Sequence, residues 1–169
     1  MPKSLENSAN NRKMSLDRAK AHLEKYGFAD RIQEFSVSSA TVALAAEALG
    51  TEEARIAKSL SFLTPEGPIL VIAAGDAKVS NSKFKEYFHT KAKMIPADDV
   101  ETLIGHGVGG VCPFGVNDGV RVYLDLSLFR FDVVYPAAGT AASAVRLTPE
   151  ELELASQSLA RIDVTNIPE

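Results

Sequence analysis

The sequence predicts an α+β fold, a single domain in which a mixed, largely antiparallel, curved sheet is surrounded by helices. Three observations carry this. Apolar residues recur at helical spacing up to about residue 50 and then switch to strand-like runs. Helices and strands intermix after that point, without the regular alternation of a doubly wound sheet. Short turns such as Thr64-Pro65-Glu66-Gly67 join neighbouring strand candidates, which favours antiparallel pairing. The 169 residues, 46% hydrophobic and 24% charged, suit one core that closes without metals or cross-links.

The elements follow in order. Residues 1–14 are polar and read as a flexible tail, leaving 15–169 as the single domain. Ser15 is placed to cap a first helix through Leu16, Ala19, Leu23 and Tyr26, which Gly27 stops. Arg31–Val37 reads as extended. Ser39 starts a second helix through Val42, Leu44, Ala45 and Leu49, closed by Gly50. Thr51-Glu52-Glu53, a hydroxyl followed by acids, opens another short helix. Lys58–Leu63 reads as a strand. The unbroken apolar run Ile69–Ala74 reads as a strand buried on both faces. Asn81 is placed to cap a helix presenting Phe84, Tyr87 and Phe88, and Met94-Ile95 reads as a short strand. A helix follows over Asp98–Ile104, then a glycine-rich stretch from Gly105 to Gly115. Asn117-Asp118-Gly119 is a turn signal, and Val120–Leu126, Phe131–Tyr135 and Ser143–Leu147 read as strands. Thr148-Pro149-Glu150-Glu151 is a capping box that starts the last helix.

Composition excludes several function classes. No apolar run approaches the roughly 18 residues of a membrane span, and the N-terminus lacks the apolar centre of a secretory signal. A single cysteine forms no internal disulfide and suits a reducing cytosol. Three scattered histidines and one cysteine show no metal-ligand spacing, so neither a metal nor a cofactor is expected. The net charge of −4 argues against a broad nucleic-acid-binding coat. A local basic stretch remains, with Lys78, Lys83, Lys85, Lys91 and Lys93, which also fits the solvated face of an amphipathic helix.

Two places invite chemistry. In Gly109-Gly110-Val111-Cys112-Pro113 the glycines let backbone approach a ligand closely, while proline fixes a dihedral. Free N–H groups in such a loop can bind a carbonyl or a developing oxyanion, although the same residues also make an ordinary turn. Lys58 stands where a helix gives way to an apolar strand, where an ammonium serves as a point charge for phosphate or carboxylate. A lysine at a strand end is otherwise a solvated one. Cys112 and His106 share the loop, but sequence proximity alone does not deliver a nucleophile–base pair.

Taken together, these segments resemble the YbaK/prolyl-tRNA-synthetase-associated editing domains. Ala54–Leu60 with its lysine is similar to that family's lysine segment, and Gly109 through Pro113 to its glycine-x-x-x-proline loop. The order also agrees, with Leu49-Gly50 before the lysine and a late Ala-Ala-Gly loop around Gly139 ahead of the Leu-Thr-Pro-Glu-Glu-Leu ending. The resemblance covers roughly Phe35–Ser156. It implies a cytoplasmic aminoacyl-tRNA deacylase that hydrolyses mischarged tRNA in trans, commonly tRNA for proline carrying alanine, cysteine or another small amino acid. The implied site comprises Lys58, Gly109, Gly110, Val111, Cys112 and Pro113, with Ser59 and Gly139 near the substrate. The implied partners are the tRNA acceptor end and a tRNA synthetase, with no membrane and no DNA. A module on the same fold that binds tRNA or a nucleotide without turning it over is the alternative. An aminoacyl ester is already activated, so its hydrolysis needs a positioned water and an oxyanion site more than a strong nucleophile.

Overall fold

The computed structural model describes residues 14–168. Apart from Met14, the expected tail lies outside that range, and Met14 is already helical. Helix α1 (14–24) is followed by β1 (Ile32–Glu34), α2 (Val42–Leu49), β2 (Ile56–Thr64) and β3 (Gly67–Ala74). Next come β4 (Lys78–Val79), α3 (Asn81–Phe88), α4 (Ala97–Ile104), β5 (Arg121–Asp125), β6 (Tyr135–Pro136) and β7 (Ser143–Val145). The chain ends with α5 (Pro149–Ser156), β8 (Arg161–Ile162) and β9 (Thr165–Asn166).

A five-stranded sheet of order β6-β2-β3-β5-β8 forms the frame. The β2–β3 hairpin is its longest ladder and is antiparallel, running from Ala57↔Ala74 to Thr64↔Gly67. The β2–β6, β3–β5 and β5–β8 pairings are parallel, and small antiparallel pairs β1–β7 and β4–β9 lie outside the main sheet. The sheet is therefore mixed, as the intermixed elements predict.

β3 alternates between two cores. Leu70 and Ile72 face a layer made by Ala19 and Leu23 of α1, Val100 and Ile104 of α4, and Leu152 of α5. Ile69 and Val71 face Phe84 of α3, with Phe62, Tyr123 and Val164. All six residues from Ile69 to Ala74 are fully buried, as the unbroken apolar run predicts. Each large aliphatic side chain so buried contributes about 1.5–3 kcal/mol.

The structure corrects several local readings. α2 begins at Val42 rather than Ser39, because the Ser39 hydroxyl donates to the Ala141 carbonyl at 2.9 Å, and Thr41 caps the helix instead. Ser80, not Asn81, caps α3. Met94 makes only an isolated bridge to Phe62. The expected strand Val120–Leu126 ends at Asp125, which caps a 3-10 helix over Leu126–Arg130 through the Ser127 N–H, and of the expected strand Phe131–Tyr135 only Tyr135 is in a strand, paired as Tyr135–Pro136. The two-residue strands β4, β8 and β9 are too short to show a period in the sequence. The capping box of α5 is present as predicted, with both reciprocal hydrogen bonds at 2.9–3.0 Å.

Candidate active site

A cleft of about 310 Å³ opens between the start of β2, the start of α2, the segment Met94–Val100 and the loop after α4. Among the described residues, Lys58 is the one ordinarily charged side chain that lines it, and no carboxylate, histidine or cysteine does so. The walls are otherwise small or apolar, with Ala45, Ala57, Ala137 and Ala144 beside Ile56 and Tyr135.

Lys58 is half-buried on β2, opposite Ala73 of β3. Its Nζ donates to the carbonyls of Gly75 (3.4 Å) and Ala77, in the turn after β3. These acceptors are neutral, so the ammonium keeps its net charge. Burial lowers its pKa from the ordinary lysine value, and nearby Lys78 acts in the same direction while Asp76 opposes both. Arg130 grips Asp76 with two bonds of 2.6 and 3.2 Å, which holds that carboxyl below its usual range and fixes the turn whose carbonyls hold the lysine.

The loop 105–115 is closed at its base by Asn117 N–H donating to the Ile104 carbonyl at 2.8 Å. Inside it, His106 Nε2 lies 2.6 Å from the Phe114 carbonyl. Gly109 adopts φ +90°, and the Gly110 N–H turns back to the Gly107 carbonyl at 3.0 Å. Among the described residues, the amides of Gly109, Val111 and Cys112 donate to no protein acceptor. Gly109 and Val111 line the cleft, which places this part of the loop backbone at its wall.

The predicted residues thus divide into two groups. Lys58, Ser59, Gly109 and Val111 line the cleft. Gly110, Cys112 and Gly139 lie buried behind that wall, and Pro113 borders a separate depression with His22 and Asn117. Ser59 Oγ is buried with no hydrogen-bond partner among the described residues. The Cys112 thiol is fully buried and donates to the Phe114 carbonyl at 3.6 Å, and burial pushes its pKa up to about 12. Burial lowers His106 to about 4, so the ring is neutral at physiological pH. Neither group reaches the cleft as a nucleophile–base pair.

Sequence reasoning missed the Gly75 and Ala77 carbonyls, the Ser39–Val42 rim, and Tyr135, Ala137 and Ser143. Gly75 carried one usable signal. A Cβ there would collide with the Glu53 carbonyl and sit 2.8 Å from Val42, so glycine is required beside the lysine's anchor.

Fold and site together define a single-domain α+β protein whose cleft is lined by one lysine and by residues of the glycine loop. The sequence profile of the aminoacyl-tRNA editing domain matches residues 37–154, and the chain belongs to that family. It is 48% identical over 153 residues to the uncharacterized protein YwhH of Bacillus subtilis, covering 89% of this chain and 97% of that one. It is similar to a solved structure described as a proposed trans-editing enzyme for prolyl tRNA synthetase. That match has a TM-score of 0.81 and 30% identity, over 90% of this chain and 97% of the other. Proline–tRNA ligase of Levilactobacillus brevis shares 29% identity over 87 residues, which is 50% of this chain and 15% of the ligase.

Proposed function

We propose that this protein is an aminoacyl-tRNA deacylase acting in trans, hydrolysing the ester of tRNA for proline that carries alanine, cysteine or another small amino acid. The observation that carries the reading is the cleft itself, lined by Lys58 as the one ordinarily charged side chain among the described residues and by Gly109 and Val111, whose amides have no protein acceptor among those residues. Such a site has no side-chain base to activate a reluctant electrophile, and an aminoacyl ester does not need one.

In this mechanism the Lys58 ammonium holds a phosphate of the terminal nucleotide as a point charge. The ester carbonyl oxygen sits against the loop amides, and water adds to the carbonyl carbon. The negative charge of the tetrahedral species falls on the oxygen facing those amides. Collapse expels the ribose oxygen, which takes a proton, and releases free amino acid and tRNA. The ribose hydroxyl beside the ester is placed by covalent geometry to assist the water. A cleft of about 310 Å³ is at the lower end for a ligand site, and its alanine-rich wall fits a small aminoacyl group. The similarity to proline–tRNA ligase supports proline tRNA as the carrier and a synthetase as neighbour, and the cytosol as the setting.

The test is a deacylation panel of tRNA charged with alanine, cysteine, serine, threonine or proline, run with the native protein and Lys58→Ala. Hydrolysis of one mischarged species, spared Pro-tRNA and loss of activity in the variant are the expected results. Binding of tRNA without hydrolysis of any species would replace this reading with that of a binding module.

A further inference from the structure

Helix α1 lies outside the matched segment 37–154, yet it grips both ends of the glycine loop. Arg18 donates to the carbonyl of Gly105, the residue that ends α4. One turn later, His22 Nδ1 accepts the Gly115 N–H at 3.1 Å, and its Nε2 lies 2.6 Å from the Ala155 carbonyl in α5. A nitrogen that accepts carries no proton, so the proton is on Nε2 and goes to Ala155. Both ring nitrogens are thereby used, tying α1, the loop end and α5 together.

Between these grips, backbone lies directly on backbone. A Cβ on Gly110 would sit 2.5 Å from the Gly139 carbonyl oxygen, and one on Gly139 would sit 2.5 Å from the Ser15 carbonyl oxygen. The stack therefore runs from α1 through the late loop to the cleft loop, with glycine at each contact. Neither Arg18 nor His22 lines the cleft.

We propose that α1 is the buttress of the cleft loop, and that Arg18 and His22 are positioning residues which set where the Gly109 and Val111 backbone stands. The catalytic side of this inference rests on the deacylase reading. Because neither side chain meets a ligand, their loss acts on turnover more than on binding.

The experiment compares His22→Leu, His22→Asn and Arg18→Met with the native protein. Amide exchange of the loop is measured by NMR without substrate, and kcat and KM are measured on mischarged tRNA. His22→Leu leaves the Gly115 N–H without its acceptor, so its exchange should speed up by about 10-fold or more. Loop displacement of about 1 Å should lower kcat by roughly 10- to 100-fold, with KM within about twofold. In His22→Asn, Oδ1 can stand where Nδ1 stood, so this variant should recover both the protection and most of the turnover. Arg18→Met should loosen the loop at its Gly105 end with the same kcat signature. Unchanged Gly115 exchange in His22→Leu would overturn the proposal, as would equal loss of kcat in His22→Leu and His22→Asn. If the native protein hydrolyses no charged tRNA while His22→Leu still frees the loop amides, the deacylase reading falls and the buttress stands.

Discussion

Gly110→Ala probes the packing of the cleft loop with one methyl group. The φ of Gly110 lies outside the left-handed region, so alanine suits its backbone and only space is at issue. The added Cβ would sit 2.5 Å from the Gly139 oxygen and 2.6 Å from Thr140 Cα. Carbon atoms rest at about 3.5–4.0 Å from one another, so the two loops must part by roughly 1 Å. Backbone atoms cannot rotate aside as a side chain does. Overpacking of this kind costs about 1–3 kcal/mol, which for a chain of this size lowers Tm by roughly 3–10 °C. A 1 Å displacement of the loop amides should lower kcat on the mischarged substrate by about 100-fold. Gly119→Ala is the control. Its φ of +89° makes alanine cost about 1–2 kcal/mol, yet nothing lies within 4 Å of the new methyl and the cleft is elsewhere. Thermal melts and single-turnover deacylation of both variants give the comparison. If Gly110→Ala keeps native kcat and Tm, or loses no more activity than Gly119→Ala, the contact does not set the loop and the reasoning fails.

Three further outcomes follow from buried groups. Burial lowers the Lys58 pKa, so kcat/KM should fall on the alkaline side at a pH below that of free lysine, and Lys58→Arg, whose guanidinium stays charged, should move that limb to higher pH. His106 binds a proton at about pH 4 when folded and at about 6.5 when unfolded, so the unfolded chain holds more protons between those values and stability falls as pH drops through that window. The loss is about 3 kcal/mol by pH 4, readable by urea unfolding, and His106→Gln should flatten the slope; an unchanged slope would reassign the acid sensitivity. Cys112→Ser should retain most turnover while lowering Tm, and native Cys112 should resist alkylation until the chain unfolds, because its thiol is buried and protonated.

How much of this was legible in the sequence depended on whether a signal was local. Ile69–Ala74 declared a central strand because burial on both faces leaves no polar position, and Thr148–Glu151 declared a helix start because both capping partners lie within one turn. Lys58 and the Gly109–Pro113 loop stood out through residue type, spacing and order. Their division into cleft wall and support was not legible. Gly109 and Gly110 are adjacent and chemically identical, yet one lines the cleft and the other seats against Gly139. Phe131–Tyr135 misled because four of its five residues are apolar or aromatic, as in a short strand. Asp125 ends β5 by capping a 3-10 helix over Leu126–Arg130, and its carboxylate is occupied by Val164 N–H and Thr165 Oγ1 from the far end of the chain. The links from His22 to Gly115 and from Lys58 to Gly75 join residues far apart in sequence, and no local pattern encodes them.

The charge arrangement around Lys58 explains why a cleft without a base still suits an anion. A carboxylate paired directly with the ammonium would leave the site neutral and cost desolvation of both groups. Asp76 is close enough to act on Lys58 electrostatically, but its oxygens are taken by Arg130 in a two-point pair. That pair is neutral as a unit, and Lys58 is held by carbonyls alone. The net positive charge therefore stays with the lysine, in a partly buried setting where water screens it less than on the surface. Lys78, one residue past the Ala77 anchor, adds the same sign. Burial disfavours the ammonium, and in the proposed deacylase an entering phosphate would relieve that cost by supplying the opposite charge. On that reading the energy that would hold the ligand is set up by Arg130 and the Gly75–Ala77 turn before it arrives, while the Gly109 and Val111 amides, without an acceptor among the described residues, are left for the oxygen on which charge would develop.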